Sequence, residues 1–269
     1  MGPSLTGQAV AVVRAGLDRP YTREGDPEAQ RLLCRGMRGD PSDRFRAGLV
    51  ARTRFFDDVL LDAIEHGVRQ IVIVGAGYDD RALRFRSKGV QFYEIDHPHT
   101  QADKARRLEA MSADLSNLHF VQADLRRDDV AEALASSGHD PASSSLFICE
   151  GVLVYLDDAG IRRTLSALAH TAPAHGTFET TLAVSLAIHP AGVDTQTVLA
   201  LANARRRTGR TEPWRTILPL DTHLDLLSQS GWASQRVVDA AELEAGADRG
   251  RSVFVTANLR RGLGEIEPG

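Results

Sequence analysis

The sequence predicts an α/β protein: a seven-stranded, mostly parallel sheet ending on an antiparallel strand, with helices on both faces and a helical cap at the N-terminus. Three observations predict it. Short apolar runs alternate with amphipathic helical stretches through the middle of the chain, the rhythm of a parallel sheet covered on both sides. The first run, Ile71-Val72-Ile73-Val74, has no polar face and stops at Gly75, as a buried parallel strand does. The last two runs follow each other with no room for a long crossover helix.

The first fifty residues read as the cap. Ala9, Val12, Val13 and Leu17 form one helical stripe, and Ala29, Leu32, Leu33 and Met37 another, separate from the rest of the chain. A helix over Arg52–His66 carries Phe55, Phe56, Val59, Leu60, Ala63 and Ile64 on one face. After the first strand, further strands are expected at Val90–Ile95, Leu118–Gln122, Ser145–Cys149 and Thr177–Ser185. Helices are expected between them at about 79–86, 98–111, 127–137 and 157–171. The last begins with Asp157 and Asp158 and lines up Ile161, Leu165, Leu168 and Ala172. Asp221 is placed to cap a helix that carries Leu224 and Leu227 and stops at Gly231. Strands Trp232–Val238 and Ser252–Leu259 close the pattern, and the short gap 239–251 suits a hairpin. The expected division is a cap over 1–50, a main domain over 51–261 and a loose tail over 262–269. Residues 188–220 are an insertion after the fifth strand, a place that overlies the ligand crevice in such sheets.

Composition narrows the function. With 42% hydrophobic and 25% charged residues the 269-residue chain can build a core, which argues against disorder. A net charge of −4 lacks the basic footprint of a nucleic-acid or anionic-membrane binder. Two cysteines cannot make a disulfide framework, and Cys149, in an apolar run, reads as a buried reduced thiol. No apolar stretch approaches the roughly 20 residues of a membrane span. Met1-Gly2-Pro3-Ser4 lacks the basic start and apolar run of a signal peptide, so a cytoplasmic location is expected. The nine histidines show no metal-ligand spacing, and no metal is expected. There is neither a G-x-S-x-G elbow nor a P-loop.

Five places carry candidate chemistry. Gly75-Ala76-Gly77-Tyr78-Asp79-Asp80 follows the first strand, where glycines let the backbone approach a ligand. A dinucleotide fingerprint wants a third glycine where Asp80 stands. An acidic residue there repels a pyrophosphate and tolerates a cationic ligand such as S-adenosylmethionine; a tight turn with no ligand is the alternative. Asp96 ends the second strand, 21 residues after Gly75, where a carboxylate accepts from ribose hydroxyls. It could equally cap the helix after His97-Pro98, and Glu94 on the same face could be structural. Asp124-Leu125 ends the third strand, placed to accept from an adenine amino group and pack on its ring; a plain helix cap is the alternative. Glu150 ends the fourth, with Tyr155 near the mouth, so carboxylates at successive strand ends should make the pocket strongly acidic and suit a cationic cofactor. Arg52 shares the apolar stripe of its helix and needs an anionic partner or a snorkelling path, whereas Arg54 makes a surface pair with Asp58.

Ala51-Arg52-Thr53-Arg54, Val74-Gly75-Ala76-Gly77-Tyr78-Asp79, Tyr93-Glu94-Ile95-Asp96, Lys104, Ala123-Asp124-Leu125 and Glu150 through Leu156 occur in that order. This series resembles the leucine carboxyl methyltransferase family, most closely its bacterial branch with polyketide carboxyl methyltransferases of the tetracenomycin-pathway type. The resemblance covers about residues 45–172. It implies a class I, Rossmann-like methyltransferase fold with S-adenosyl-L-methionine as cofactor, and a setting in secondary metabolism and antibiotic biosynthesis. It implies that Arg52 holds the cofactor carboxylate, Gly75, Ala76 and Gly77 the methionine backbone, and Asp96 the ribose. Asp124 and Leu125 would hold the adenine, and Glu150 the methionine amino group.

The expected function is therefore O-methylation of a carboxylate on a small aromatic or polyketide-like molecule. A carboxylate is ionised at neutral pH and needs no general base, whereas a phenol does, and His97, His189 and His223 are weak candidates. Tyr155, Trp214 and Arg215 are the expected substrate contacts, with Arg205–Arg207 as further cations in the insertion. The rivals are a hydroxyl O-methyltransferase, a non-catalytic S-adenosylmethionine-binding protein and a nicotinamide-dependent oxidoreductase. The sequence leaves the oligomeric state open.

Overall fold

The computed structural model describes residues 3–37, 43–171, 179–205 and 212–260. The cap supplies α1 (Leu5–Arg14) and α2 (Ala29–Leu33), followed by the long α3 (Asp43–Glu65). Then come β1 (Gln70–Val74), α4 (Arg81–Arg84), β2 (Gln91–Asp96), α5 (Pro98–Ala110), β3 (Leu118–Gln122), α6 (Val130–Ser136) and β4 (Ser145–Cys149). A 3-10 turn, Leu153–Tyr155, leads into α7 (Asp158–His170) and β5 (Thr181–Ala187). The insertion holds α8 (Thr195–Arg205). After it come α9 (Leu220–Gln229), β6 (Trp232–Asp239), the short α10 (Ala240–Leu243) and β7 (Ser252–Leu259).

The seven strands lie in the order β3-β2-β1-β4-β5-β7-β6. β1 to β5 pair in parallel, and β7 runs antiparallel between β5 and β6. The order reverses between β1 and β4, which opens a crevice at the carboxyl ends of the strands. Alternation along β1 sends Ile71 and Ile73 to one face and Val72 and Val74 to the other. The first face packs on Phe55, Phe56 and Leu60 of α3, joined by Phe254 of β7. The second packs on Ile161, Leu165 and Leu168 of α7 and on Trp232, whose indole N–H donates to the Leu165 carbonyl.

Several expectations change on contact with the structure. α3 runs unbroken through the expected boundary at residue 50, so the cap joins the main domain without a linker. The fifth strand is Thr181–Ala187 instead of Thr177–Ser185 and is buried along its centre, while Ala172, Thr177 and Phe178 lie outside the described residues. So do Arg206, Arg207 and the tail 262–269. Asp221 sits in the first turn of α9 and Pro219 takes the cap position. Arg54 pairs with Glu244, 190 residues away, instead of with Asp58. The hairpin between β6 and β7 holds α10, closed by an Asp239–Glu242 capping box. Asp239 also accepts from the Gly250 N–H at 2.7 Å, fastening both ends of the gap.

One buried group gives the fold a pH response. His139 is 4% exposed, lies against Tyr93 and Phe147, and shares a 2.9 Å hydrogen bond with the Ser145 hydroxyl. Burial pushes its pKa down to about 4, with Asp140 pulling partway back. The unfolded chain, near the ordinary value of about 6.5, binds this proton first, so its stabilising contribution is full above that value and is lost as pH falls toward 4. Glu94, which burial pushes up to about 7 against the pull of Lys104, titrates nearby with the opposite sign. Subtracting His139→Gln from wild type removes that background. The difference in unfolding free energy should fall by about 2 kcal/mol between pH 7 and pH 5. Urea titrations at the two pH values check it, and a flat difference would show that His139 is protonated in the native state.

Candidate active site

The crevice holds a cavity of about 530 Å³, within the roughly 300–1,000 Å³ of small-molecule sites. Its floor is the turn after β1. Gly75 has φ +64°, and a Cβ there would stand 2.5 Å from Val152 Cγ2, so only glycine fits. Gly77 has φ +55°, and its N–H donates to Asp96 Oδ2. Asp96 Oδ1 accepts from the His97 N–H at 2.6 Å, so this carboxylate ties the glycine loop to the end of β2. His97, not Asp96, caps α5. Burial pushes the Asp96 carboxyl up, and the two N–H donors pull it back. Glu94 is structural: it pairs with Lys104, which also donates to the Asp79 carbonyl at 2.7 Å.

The expected site residues do meet. Arg52, Gly75, Ala76, Gly77, Asp96, Asp124, Leu125, Glu150, Tyr155, Trp214 and Arg215 all line this one cavity. The insertion reaches it as a strap whose ends are drawn together by a bridge between Ile188 and Leu218. Asp124 does not cap α6, a task that falls to Asp129. It holds Arg126 in a two-point ion pair at 2.9 Å, and that pairing draws its carboxyl down to about 2.

The expectation of a strongly acidic pocket does not hold. Asp124 and Glu150 are paired with arginines, Asp96 is held by two backbone N–H groups, and Arg14, Arg52, Arg126 and Arg215 line the same cavity. Glu150 accepts from three guanidiniums: Arg14 and Arg52 on Oε1 and Arg81 on Oε2. Arg14 and Arg81 also grip Asp79, Arg81 and Arg19 grip Asp57, and Arg19 and Arg84 grip Asp80. Burial pushes the Glu150 carboxyl up, but Arg14, Arg81 and Arg52 together hold it well below the ordinary range. Asp80 is held down by Arg19 and Arg84 against the same burial. It is fully buried and outside the cavity lining, so it neither repels nor attracts a ligand. The argument from Asp80 against a pyrophosphate therefore fails.

Sequence reading missed the part played by the cap. Ser4, Thr6, Gly7, Val10, Ala11 and Arg14 of the α1 region roof the cavity, and Gly7 packs close over Gly77 and Tyr78. One signal was present. Arg14 lies three residues before Leu17 of the cap's apolar stripe, a helical spacing that sets an arginine on an inward face like Arg52. Among the described residues no cluster of side chains could hold a metal ion, and no helix is long and apolar enough to cross a membrane.

Comparison with known proteins agrees with this fold. Magnesium protoporphyrin IX methyltransferase from Synechocystis, solved with bound SAH, superposes with a TM-score of 0.52 at 16% identity, over 83% of this chain and 90% of that one. That likeness shows the class I methyltransferase fold. A Streptomyces avermitilis protein named as an S-adenosyl-L-methionine-dependent methyltransferase is 35% identical over 208 residues, 72% of this chain and 74% of its own length. A Mycolicibacterium smegmatis relative of the same name is 40% identical over 146 residues, 54% of this chain and 45% of its own. A Parafrankia relative is 38% identical over 133 residues, 49% of this chain. The match spans under half the length of these last two relatives, 45% and 43%. The family model for leucine carboxyl methyltransferase matches residues 9–169, from the roof helix through α7. The chain belongs to the leucine carboxyl methyltransferase family.

Proposed function

We propose that the protein is an S-adenosyl-L-methionine-dependent O-methyltransferase whose acceptor is a carboxylate on a small aromatic or polyketide-derived molecule. The cradle fits the cofactor. Gly75 and Gly77 leave no side chain at the turn, Leu125, Val152 and Val154 supply apolar wall, and carboxylates stand at three strand ends. Arg52 uses Nε on Glu150, which leaves its terminal fork to hold the cofactor carboxylate. Gly75 to Gly77 take the methionine backbone, Asp96 the ribose, and Asp124 with Leu125 the adenine. A carboxylate offers about four acceptor sites; Glu150 uses three on guanidiniums and keeps one for the cofactor ammonium. When bound, the cofactor supplies a methyl group on a sulfonium, a leaving group that needs no acid.

The protein's part is to align and desolvate the acceptor beneath α1 and the strap. The observation that carries the carboxylate reading is the position of the histidines. Among the described residues lining the cavity, His97 is the one imidazole, and its Nδ1 accepts from the His99 N–H at the start of α5. His189 and His223 are buried elsewhere, His189 bonded to Pro190 and Thr195 and His223 to the Ala187 carbonyl. A carboxylate with a pKa near 4 needs no base, while a phenol near 10 does. Arg215 offers it a cation in the cavity that Trp214 also lines.

Incubating the protein with methyl-labelled cofactor and a panel of aromatic acids should give a product that releases its label in mild alkali, as a methyl ester does. Label that survives mild alkali would mark a methyl ether and overturn the carboxylate assignment.

A further inference from the structure

The strap that bears Trp214 and Arg215 is fastened on two sides. On the core side the Arg215 and Thr216 N–H groups both donate to the Val154 carbonyl, at 2.8 and 3.2 Å, and the Thr216 hydroxyl donates to the Leu156 carbonyl. Val154 lies in the turn that follows Glu150, so this side sets the strap's height over the strand ends. On the other side stands Asn203, in the last turn of α8. Its Oδ1 accepts from the Trp214 N–H and its Nδ2 donates to the Trp214 carbonyl, both at 2.8 Å.

Those two bonds meet the N–H and the C=O of one residue, the double contact a neighbouring strand makes in an antiparallel ladder. Only a side chain with a donor and an acceptor on one planar group reproduces it, and asparagine is the shortest that does. Asparagine is a poorer helix former than alanine. α8 turns Val198, Leu199, Ala202 and Asn203 inward as half-buried residues, while Leu201 is 57% exposed. The hydrogen-bonded link from that face to the residue lining the cavity is this amide. We propose that Asn203 is a positioning residue: it fixes the Trp214 backbone, and through it sets the indole and Arg215 against the acceptor. The inference rests on the reading of Trp214 and Arg215 as acceptor contacts.

The test uses Trp214 as its own reporter. The chain has two tryptophans, and Trp232 is fully buried in the second core layer. Acrylamide quenching therefore reads Trp214, and Trp214→Phe supplies the background. Naphthoate serves as the aromatic carboxylate probe and SAH as the cofactor probe. Asn203→Ala and Asn203→Asp, which keeps the acceptor and loses the donor, should both raise quenching. Asn203→Ala, which loses both hydrogen bonds, should weaken naphthoate about tenfold, and Asn203→Asp, which loses one, by about threefold, while SAH affinity and the thermal midpoint hold. Quenching at the wild-type level in both variants overturns the proposal. A parallel loss of SAH affinity and thermal stability overturns it too, by showing a general structural role. If wild type binds SAH but not naphthoate while Asn203→Ala still raises quenching, the positioning role stands and the carboxylate reading fails.

Discussion

Arg81→Ala should cost about 3–5 kcal/mol of folding stability, the price of removing one side of a buried ion network. Arg81 is fully buried and donates to Asp57, Asp79 and Glu150 from three different elements. Its loss leaves three carboxylates short of a partner, two of them, Asp57 and Asp79, buried away from water. Five guanidiniums and four carboxylates share this network, so the remaining arginines cannot slide over without abandoning other acids. A domain holds roughly 5–15 kcal/mol in all, so the variant should unfold at much lower urea concentration. Arg54→Ala is the control. Its pair with Glu244 is 57% exposed on the arginine side and should contribute under about 1 kcal/mol. Equal midpoints for the two variants would show that the network is not energetically buried.

Arg52→Ala should weaken SAH binding by about 2–4 kcal/mol, roughly thirtyfold to a thousandfold. The fold should survive this change better than the loss of Arg81. Arg52 is 19% exposed on its side chain, and Glu150 keeps Arg14 and Arg81. Gly151 contributes to the geometry: with φ +68°, a Cβ there would stand 3.1 Å from an Arg52 terminal nitrogen. Isothermal calorimetry of wild type, Arg52→Ala and Arg54→Ala separates the two neighbours on α3. Undiminished SAH binding by Arg52→Ala would remove it from the site, and equal losses in both variants would place the wrong face of the helix toward the cavity.

The features legible in the sequence are those whose signals act over a short range. Strand limits came through because a short run dense in apolar and β-branched residues is a local pattern: β3, β4 and β7 lie where the runs place them. The cavity's floor came through because strand ends at one sheet edge converge whatever the side chains do. Arg52 came through because four residues along a helix fix a face. The partners of charges did not. Arg14 meets Glu150 across 136 residues and Arg54 meets Glu244 across 190, and nothing near either arginine encodes the other end. The cap looked separate for the same reason, since Arg14 and Arg19 reveal their role only when Asp57, Asp79 and Asp80 surround them. Strand order was equally hidden: a hairpin signal says that β6 and β7 pair, not that β7 goes inside.

That inside position has a consequence for how the chain is made. β5 takes β7 as its second neighbour, with Thr181 opposite Asn258, and β6 touches the sheet only through β7. A ribosome adding about 5–20 residues each second delivers β5 first and the strand that covers it last. For several seconds the nascent protein carries an open edge of Leu182, Val184 and Leu186 beside an unattached β6, an invitation to any other unfinished strand in the cell. The eight-residue β7 is thus the keystone of the sheet, set in place only after β6 has been made.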